Sequence, residues 1–368
     1  MESQNKSKLG IVLSAGGARA AYQVGVLKEI AAQVDHFDPR LFTGISAGSI
    51  NAAYLSQGEP MREACEHLFQ LWSELTFTQV FRTNFNSLFR MGMRWLYDLS
   101  LSKVTQRLLL KSLLDASPLG DTLLRHVHFW KVSRSIRTGL IDGLAITATN
   151  YHDGTTTTFF DSNEVIEPWI RERRLAVRTA LRIRHVMASC SIPILFEPIP
   201  IGKYLFGDGS LRFSFPFSPV IHLGATRILA VGIRSPQTEN PFPESRPDHL
   251  SLGFIAGSVL NSIFLDSLEF DYENLCRINA LVGEGSPAYV PTLLIRPSRD
   301  LGAIAREHAQ ELPFHFRQLI SATATPDELG DLLSYLMFSN GYIRALLELG
   351  RQDAKNQMDS IRQFLGGV

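Results

Sequence analysis

Within its first 55 residues the chain twice runs from a short apolar segment, through a turn of small residues, into a segment with helical periodicity. Leu9 to Leu13 (LGIVL) leads through Ser14-Ala15-Gly16-Gly17-Ala18 into a stretch where Tyr22, Val26, Ile30 and Val34 recur at helical spacing. Arg40 to Thr43 reads as a second strand, and Ala47 to Leu55 as the helix after it. A strand that returns through a helix re-enters its sheet in parallel, and a parallel sheet needs helices on both faces. The class is therefore α/β with a largely parallel sheet.

Further along, residues 60 to 140 read as helical but irregular. Gly143 to Asn150 and Thr155 to Phe160 read as strands joined by a hairpin turn at His152-Asp153-Gly154. Arg173 to Met187 reads as a helix, Tyr204 to Phe206 and Arg227 to Ile233 as strands, and 250 to 282 as one long helix. Residues 237 to 248 form a Pro- and charge-rich loop, and Pro291 to Arg296 a last strand. Thr325-Pro326-Asp327-Glu328 has the pattern of a helix start.

Composition removes several function classes. Lys+Arg and Asp+Glu both number 36, which argues against bulk nucleic-acid binding. Cys65, Cys190 and Cys276 are far apart and odd in number, so neither a disulfide framework nor a zinc spacing is visible. No run approaches the length of a membrane span, and Arg19 interrupts the apolar N-terminal stretch, so no cleaved signal is expected. A cytoplasmic location follows, with a peripheral membrane position open. His126, His128 and Asp121 lack a further ligand at metal spacing. No metal or cofactor is expected.

Three stretches carry chemistry. In Gly44-Ile45-Ser46-Ala47-Gly48 a serine sits where strand turns sharply into helix, a turn that needs small neighbours and suits a nucleophile. The same serine would also serve as a plain N-cap. The Ser14 to Arg19 turn offers consecutive backbone amides that can hold an anion, an oxyanion hole if the chemistry is acyl transfer. Its glycines do not make a dinucleotide fingerprint, and a bare βα turn is the simpler reading. Gly207-Asp208-Gly209-Ser210 puts a carboxylate at a strand end, either as a turn residue or as an active-site group. A Ser-Asp-His order can be written with Ser46, Asp208 and His222, but the elbow comes too early for an ordinary α/β-hydrolase.

Together these stretches resemble the patatin-like phospholipases, in which G-G-G-x-R/K-G, G-x-S-x-G and D-G-G/A recur in this order. Here they stand as Ala15 to Ala20, Gly44 to Gly48 and Asp208-Gly209-Ser210, and the likeness extends to 188–199 and 342–354. The resemblance implies a three-layer α/β/α fold with a mostly parallel central sheet and an added helical C-terminal region. It implies a catalytic domain over 9–235, with 60–140 as a helical cap-like insertion, and a mainly helical region over 236–368 packed on it. It implies a Ser46–Asp208 dyad without histidine, an oxyanion hole at Gly16, Gly17 and Ala18, and Arg19 supporting that loop or attracting a substrate phosphate. The substrate would be a fatty-acyl ester, above all a phospholipid at a membrane surface. A small-ester esterase or thioesterase on the same dyad, or a catalytically weak lipid-binding regulatory protein, are the alternatives. Ala15 and Ala20 replace family glycines and Ser210 replaces Gly or Ala. Ala15 would matter only if its backbone needed a positive φ.

Between 77 and 110, Phe81, Phe85, Phe89, Met93, Trp95 and Tyr97 interleave with Arg82, Arg90, Arg94 and Lys103. This pattern fits a packed helical cover or an interfacial lid.

Overall fold

The computed structural model describes residues 8–82, 114–236, 252–313, 317 and 330–366. Ten strands form one sheet: β1 Leu9–Leu13, β2 Leu41–Ile45, β3 Gly143–Asn150, β4 Thr156–Ser162, β5 Ile170–Arg171, β6 Arg174–Arg178, β7 Ile199–Ile201, β8 Tyr204–Asp208, β9 Arg227–Val231 and β10 Thr292–Ile295. The main order is β10-β9-β1-β2-β3-β4-β6-β5. The run from β10 to β3 is parallel, and β4 joins β3 as an antiparallel hairpin.

Strands β1 and β9 are apolar and buried along almost their whole length, as strands covered on both faces must be. Their side chains alternate between two cores. Ile11, Leu13, Leu229 and Val231 face the larger one, which takes in the helices Ala21–Gln33, Ala47–Leu55, Met61–Glu74 and Asn340–Asn356. Val12, Ile228 and Ala230 face a smaller one, with Phe217 just before and Val220 on Ser218–His222 and Leu268 and Leu275 on Asp266–Val282. This is a three-layer α/β/α architecture of unequal layers. The Asn340–Asn356 helix lies directly on Ala21–Gln33: a Cβ at Gly350 would stand 2.2 Å from the Tyr22 carbonyl oxygen. Strand β10 pairs with β9, so the sheet itself runs on past residue 235.

One strand determines where the site can form. On a single edge of β3, β2 pairs in parallel up to Ile45↔Thr147. From Ala148 onward that edge belongs to β8, antiparallel, beginning at Ala148↔Asp208. The opposite edge is β4 throughout. The change of neighbour between Thr147 and Ala148 brings the ends of β2 and β8 face to face.

Two expected helices differ. Within 173–187 only Ile183–Ser189 is helical; Arg174–Arg178 is β6, parallel to β4. Leu175 to Val177 instead extend the sheet beyond β4. The long helix after 250 is two, Leu252–Phe264 and Asp266–Val282, broken at Leu265. Asp266 opens the second, where a negative charge meets the positive end of the helix dipole. The helix start at Thr325 to Glu328, the loop at 237–248 and the aromatic–basic stretch from Phe85 to Lys103 lie outside the described residues.

Candidate active site

Ser46 stands at the tip of β2 with φ 52° and ψ −132°, a conformation that costs a non-glycine residue on the order of 1–3 kcal/mol. The turn is closed by its own glycines: a Cβ on Gly44 would lie 2.3 Å from the Gly48 carbonyl oxygen. A Cβ on Gly48 would lie 2.3 Å from that of Leu13, so the helix Ala47–Leu55 begins against the end of β1. The strained residue is also held from outside. Its amide donates to Ser189 Oγ at 2.9 Å, and that hydroxyl donates to the Thr147 carbonyl at 2.6 Å. With its own amide so engaged, Ser46 leaves any oxyanion to other donors. Ser189 had no signal of its own in the sequence; it is one serine in a stretch noted only for family likeness.

Asp208 faces Ser46 across the change of neighbour on β3. It is fully buried, and loss of hydration raises its carboxyl pKa from 3.8 to about 6. The nearby hydroxyls of Ser46 and Ser210 and the Ser210 amide pull it back only in part. Oδ1 accepts the Ser210 amide at 2.9 Å. Oδ2 is buried with no hydrogen-bond partner among the described residues, and the Ser46 hydroxyl is close enough to the carboxyl to favour its charged form. Such contacts commonly tighten only once substrate is bound. Gly209 packs under the site, since a Cβ there would lie 2.3 Å from the Thr147 carbonyl oxygen.

The turn after β1 takes its shape from Gly17, at φ 54°. Ala15 has no positive φ, so alanine is unstrained there, and Ala20 has ordinary helical angles. The short helical turn Gly17–Ala20 leaves its first amides without partners of its own, at Gly17 and Ala18 beside Gly16. Gly17 and Ser46 line the same chamber. Arg19 turns away from it. It is 2% exposed; its Nε donates to Ser334 Oγ at 2.7 Å, its Nη2 meets Asp331 Oδ1 at 3.0 Å, and its guanidinium stacks on Tyr335. Its charge is met inside the fold, which ties the loop to the Gly330–Leu336 helix.

Next to Ser46 lies an apolar chamber. Ala47 and Ile50 form one wall; Trp72, Phe81, Phe196 and Phe338 line it elsewhere. Phe81 is packed between Phe196 and Phe338, so it belongs to this lining. Cys190 reaches the chamber too, its thiol pKa pushed up by burial. No histidine lines it among the described residues. His222 lies on the other side of the sheet, stacked on Trp169 with Nδ1 2.7 Å from the Ser218 carbonyl. His308 pairs with Glu311; His249 and His315 lie outside the described residues. No described helix is long and apolar enough to cross a membrane.

Among solved structures the chain is similar to VipD from Legionella pneumophila, at 11% identity and TM-score 0.38, covering 96% of this chain and 67% of that one. It is similar to human GIVD cytosolic phospholipase A2 at 14% identity and TM-score 0.48, covering 99% of this chain and 60% of that one. It is also similar to ExoU of Pseudomonas aeruginosa, solved with SpcU, at 15% identity and TM-score 0.31, covering 95% of this chain and 52% of that one. The chain thus spans about 60% of the human enzyme's length. No curated protein matches it. The sequence model of the patatin-like phospholipases, by contrast, matches residues 11–221, from within β1 past Asp208, and the chain belongs to that family.

Proposed function

We propose that the protein is a serine lipid acyl hydrolase that cleaves fatty-acyl esters, chiefly phospholipids, with Ser46 as nucleophile and Asp208 as base. The observation that carries this reading is a strained serine on the wall of an apolar chamber with a buried, partly unpartnered carboxylate beside it. Family membership supports lipid acyl hydrolysis in general.

The chemistry closes without further groups. Ser46 Oγ attacks the acyl carbonyl carbon as its proton passes to Asp208 Oδ2. The oxyanion is held by the amides of Gly16, Gly17 and Ala18, which cost nothing to reorient because the loop is already fixed. The ester C–O bond breaks, and the leaving alcohol takes the proton from Asp208. A water then gives its proton to the carboxylate and attacks the acyl-enzyme; as the fatty acid leaves, Asp208 returns that proton to Ser46 Oγ, restoring both residues. Carboxylates are weak bases, but at about 6 this one is a better base than an exposed aspartate and is still ionised at neutral pH. Turnover should rise with pH through about 6.

Residues 9–235 carry this chemistry, and 236–368 brace it through Arg19 and the Asn340–Asn356 helix. The protein works at a membrane surface as a peripheral cytoplasmic enzyme, in keeping with three cysteines that form no disulfide. The test is labelling with an alkyl fluorophosphonate, then hydrolysis of phosphatidylcholine vesicles against soluble p-nitrophenyl butyrate. Modification at Ser46 with preferred turnover of vesicles is the expected result. Label on another serine overturns the dyad. Turnover of the short ester alone makes it a small esterase, and lipid binding without turnover a regulatory protein.

A further inference from the structure

The apolar chamber beside Ser46 is closed by a thin partition. Leu71, Leu75 and Thr122 line the chamber and also line a separate polar cleft that opens at the surface. The helix Ala47–Leu55 passes along both spaces and gives them a direction. Ala47 and Ile50 face the chamber, whereas Tyr54, one turn further on, faces the cleft. At about 1.5 Å rise per residue, Tyr54 lies about 12 Å beyond Ser46 along the axis. The chamber therefore starts at the serine, follows this helix and stops before Tyr54.

Behind the partition the surroundings change. The cleft is lined by His67, Gln70, Glu74 and His126, where the chamber is lined almost wholly by hydrocarbon and aromatic groups. The partition is firm. Leu75 and Thr122 are buried, and the Thr122 hydroxyl is tied to the Gln79 carbonyl at 3.1 Å.

We propose that Leu71, Leu75 and Thr122 set the acyl-chain length this protein accepts, stopping the methyl end of the chain before the polar cleft. The inference rests on the acyl-hydrolase reading above and adds the specificity of the same site. Each methylene that fits the chamber should improve kcat/KM about fourfold, the equivalent of burying one CH2 group. A methylene past the partition gains nothing, because it must displace a packed leucine or lie against charged groups.

The test is a chain-length series with the full-length protein: p-nitrophenyl esters from butyrate to palmitate in mixed micelles, kcat/KM for each. The wild type should climb to a maximum and then fall. Leu75→Ala, and Leu71→Ala at the half-buried position where folding tolerates the change, should open the partition. Both should move the maximum to longer chains, raising the palmitate-to-octanoate ratio at least tenfold. Because the ratio is taken within each variant, a general loss of activity cancels. A ratio unchanged in both variants overturns the partition while leaving the hydrolase reading standing. If the wild type turns over no ester, the hydrolase reading falls and the length stop with it.

Discussion

The two glycine turns that meet at this site are built by different means. The elbow around Ser46 is tight because Gly44 meets Gly48, four residues on. The loop after β1 is tight because Gly17 meets Tyr335, near the far end of the chain: a Cβ there would lie 2.2 Å from the Tyr335 carbonyl oxygen. One turn takes its closest contact from its own five residues, with Ser189 and Leu13 supporting it from outside. The other borrows it from a helix that also grips Arg19. Similar local sequences thus yield one turn shaped by short-range contacts and one shaped by long-range contacts, and damage should reach them by different routes.

The largest effect comes from removing the chemistry at the elbow. Ser46→Ala and Asp208→Asn should each lower kcat by ~10⁴-fold or more, with the double variant no worse than either, since they act as one unit. Ester hydrolysis and fluorophosphonate labelling measure both. Several orders of magnitude lost in a folded His222→Ala protein would instead restore a triad.

Next comes a change in the borrowed turn. Gly17→Val places a β-branched side chain at φ 54° and against the Tyr335 backbone, so the amides must move. Here kcat should fall by ~10²- to 10³-fold, the effect of losing an oxyanion donor, with KM changed much less. Equal damage to KM would place the loop outside the reacting centre.

The long-range route is tested from its remote end. Asp331→Asn removes the carboxylate charge that faces the buried Arg19 guanidinium, leaving it Ser334 and the Tyr335 ring, an expected loss of about 1–3 kcal/mol. That is a fall in Tm of several degrees, with kcat down by roughly tenfold. Arg19→Lys should do no better, because an ammonium cannot bridge Ser334 and Asp331 as the guanidinium fork does. If both variants keep kcat and Tm, the loop does not depend on the distant helix, and the contrast disappears.

The smallest effect sharpens the picture of what the elbow's partner costs. In the folded protein Asp208 holds its proton up to about pH 6, whereas the unfolded chain gives it up near 3.8. Its contribution to stability is thus fully present below 3.8 and is lost as pH rises through 6. Asp208→Asn should therefore raise Tm by a few degrees at pH 7.5 and by progressively less toward pH 4. Calorimetry at the two pH values measures it, and a lowered Tm at pH 7.5 would mean that the carboxylate is stabilised in place.

The sequence made the elbow legible because its determinants are local: Gly44, Ser46 and Gly48 imply the turn, the helix after it and the parallel sheet. The three motifs marked Asp208 as well, but not why it meets Ser46, which depends on the register of β3 against two partners. Ala15 drew attention as a departure, yet the position that needs a positive φ is Gly17. The role of Arg19 was ambiguous for the same reason, since Asp331, Ser334 and Tyr335 are linked to it only in three dimensions. Ser189 was invisible, because a hydroxyl that props a backbone amide leaves no spacing pattern. Strand β6 was misread because a strand of five residues, Arg174–Arg178, gives too short a pattern to set against the helix that follows it.

The shared edge of β3 also has a consequence in time. As the chain leaves the ribosome, the first 150 residues already contain the elbow, but the edge at Ala148 to Asn150 stays open until Tyr204–Asp208 arrives. Pairing so distant in sequence is slow, because closing the intervening loop comes first. Ser46 is therefore synthesised long before Asp208, and Arg19 waits longer still for Asp331. On the proposed mechanism, a chain ending before Tyr204–Asp208 would hold Ser46 without its base.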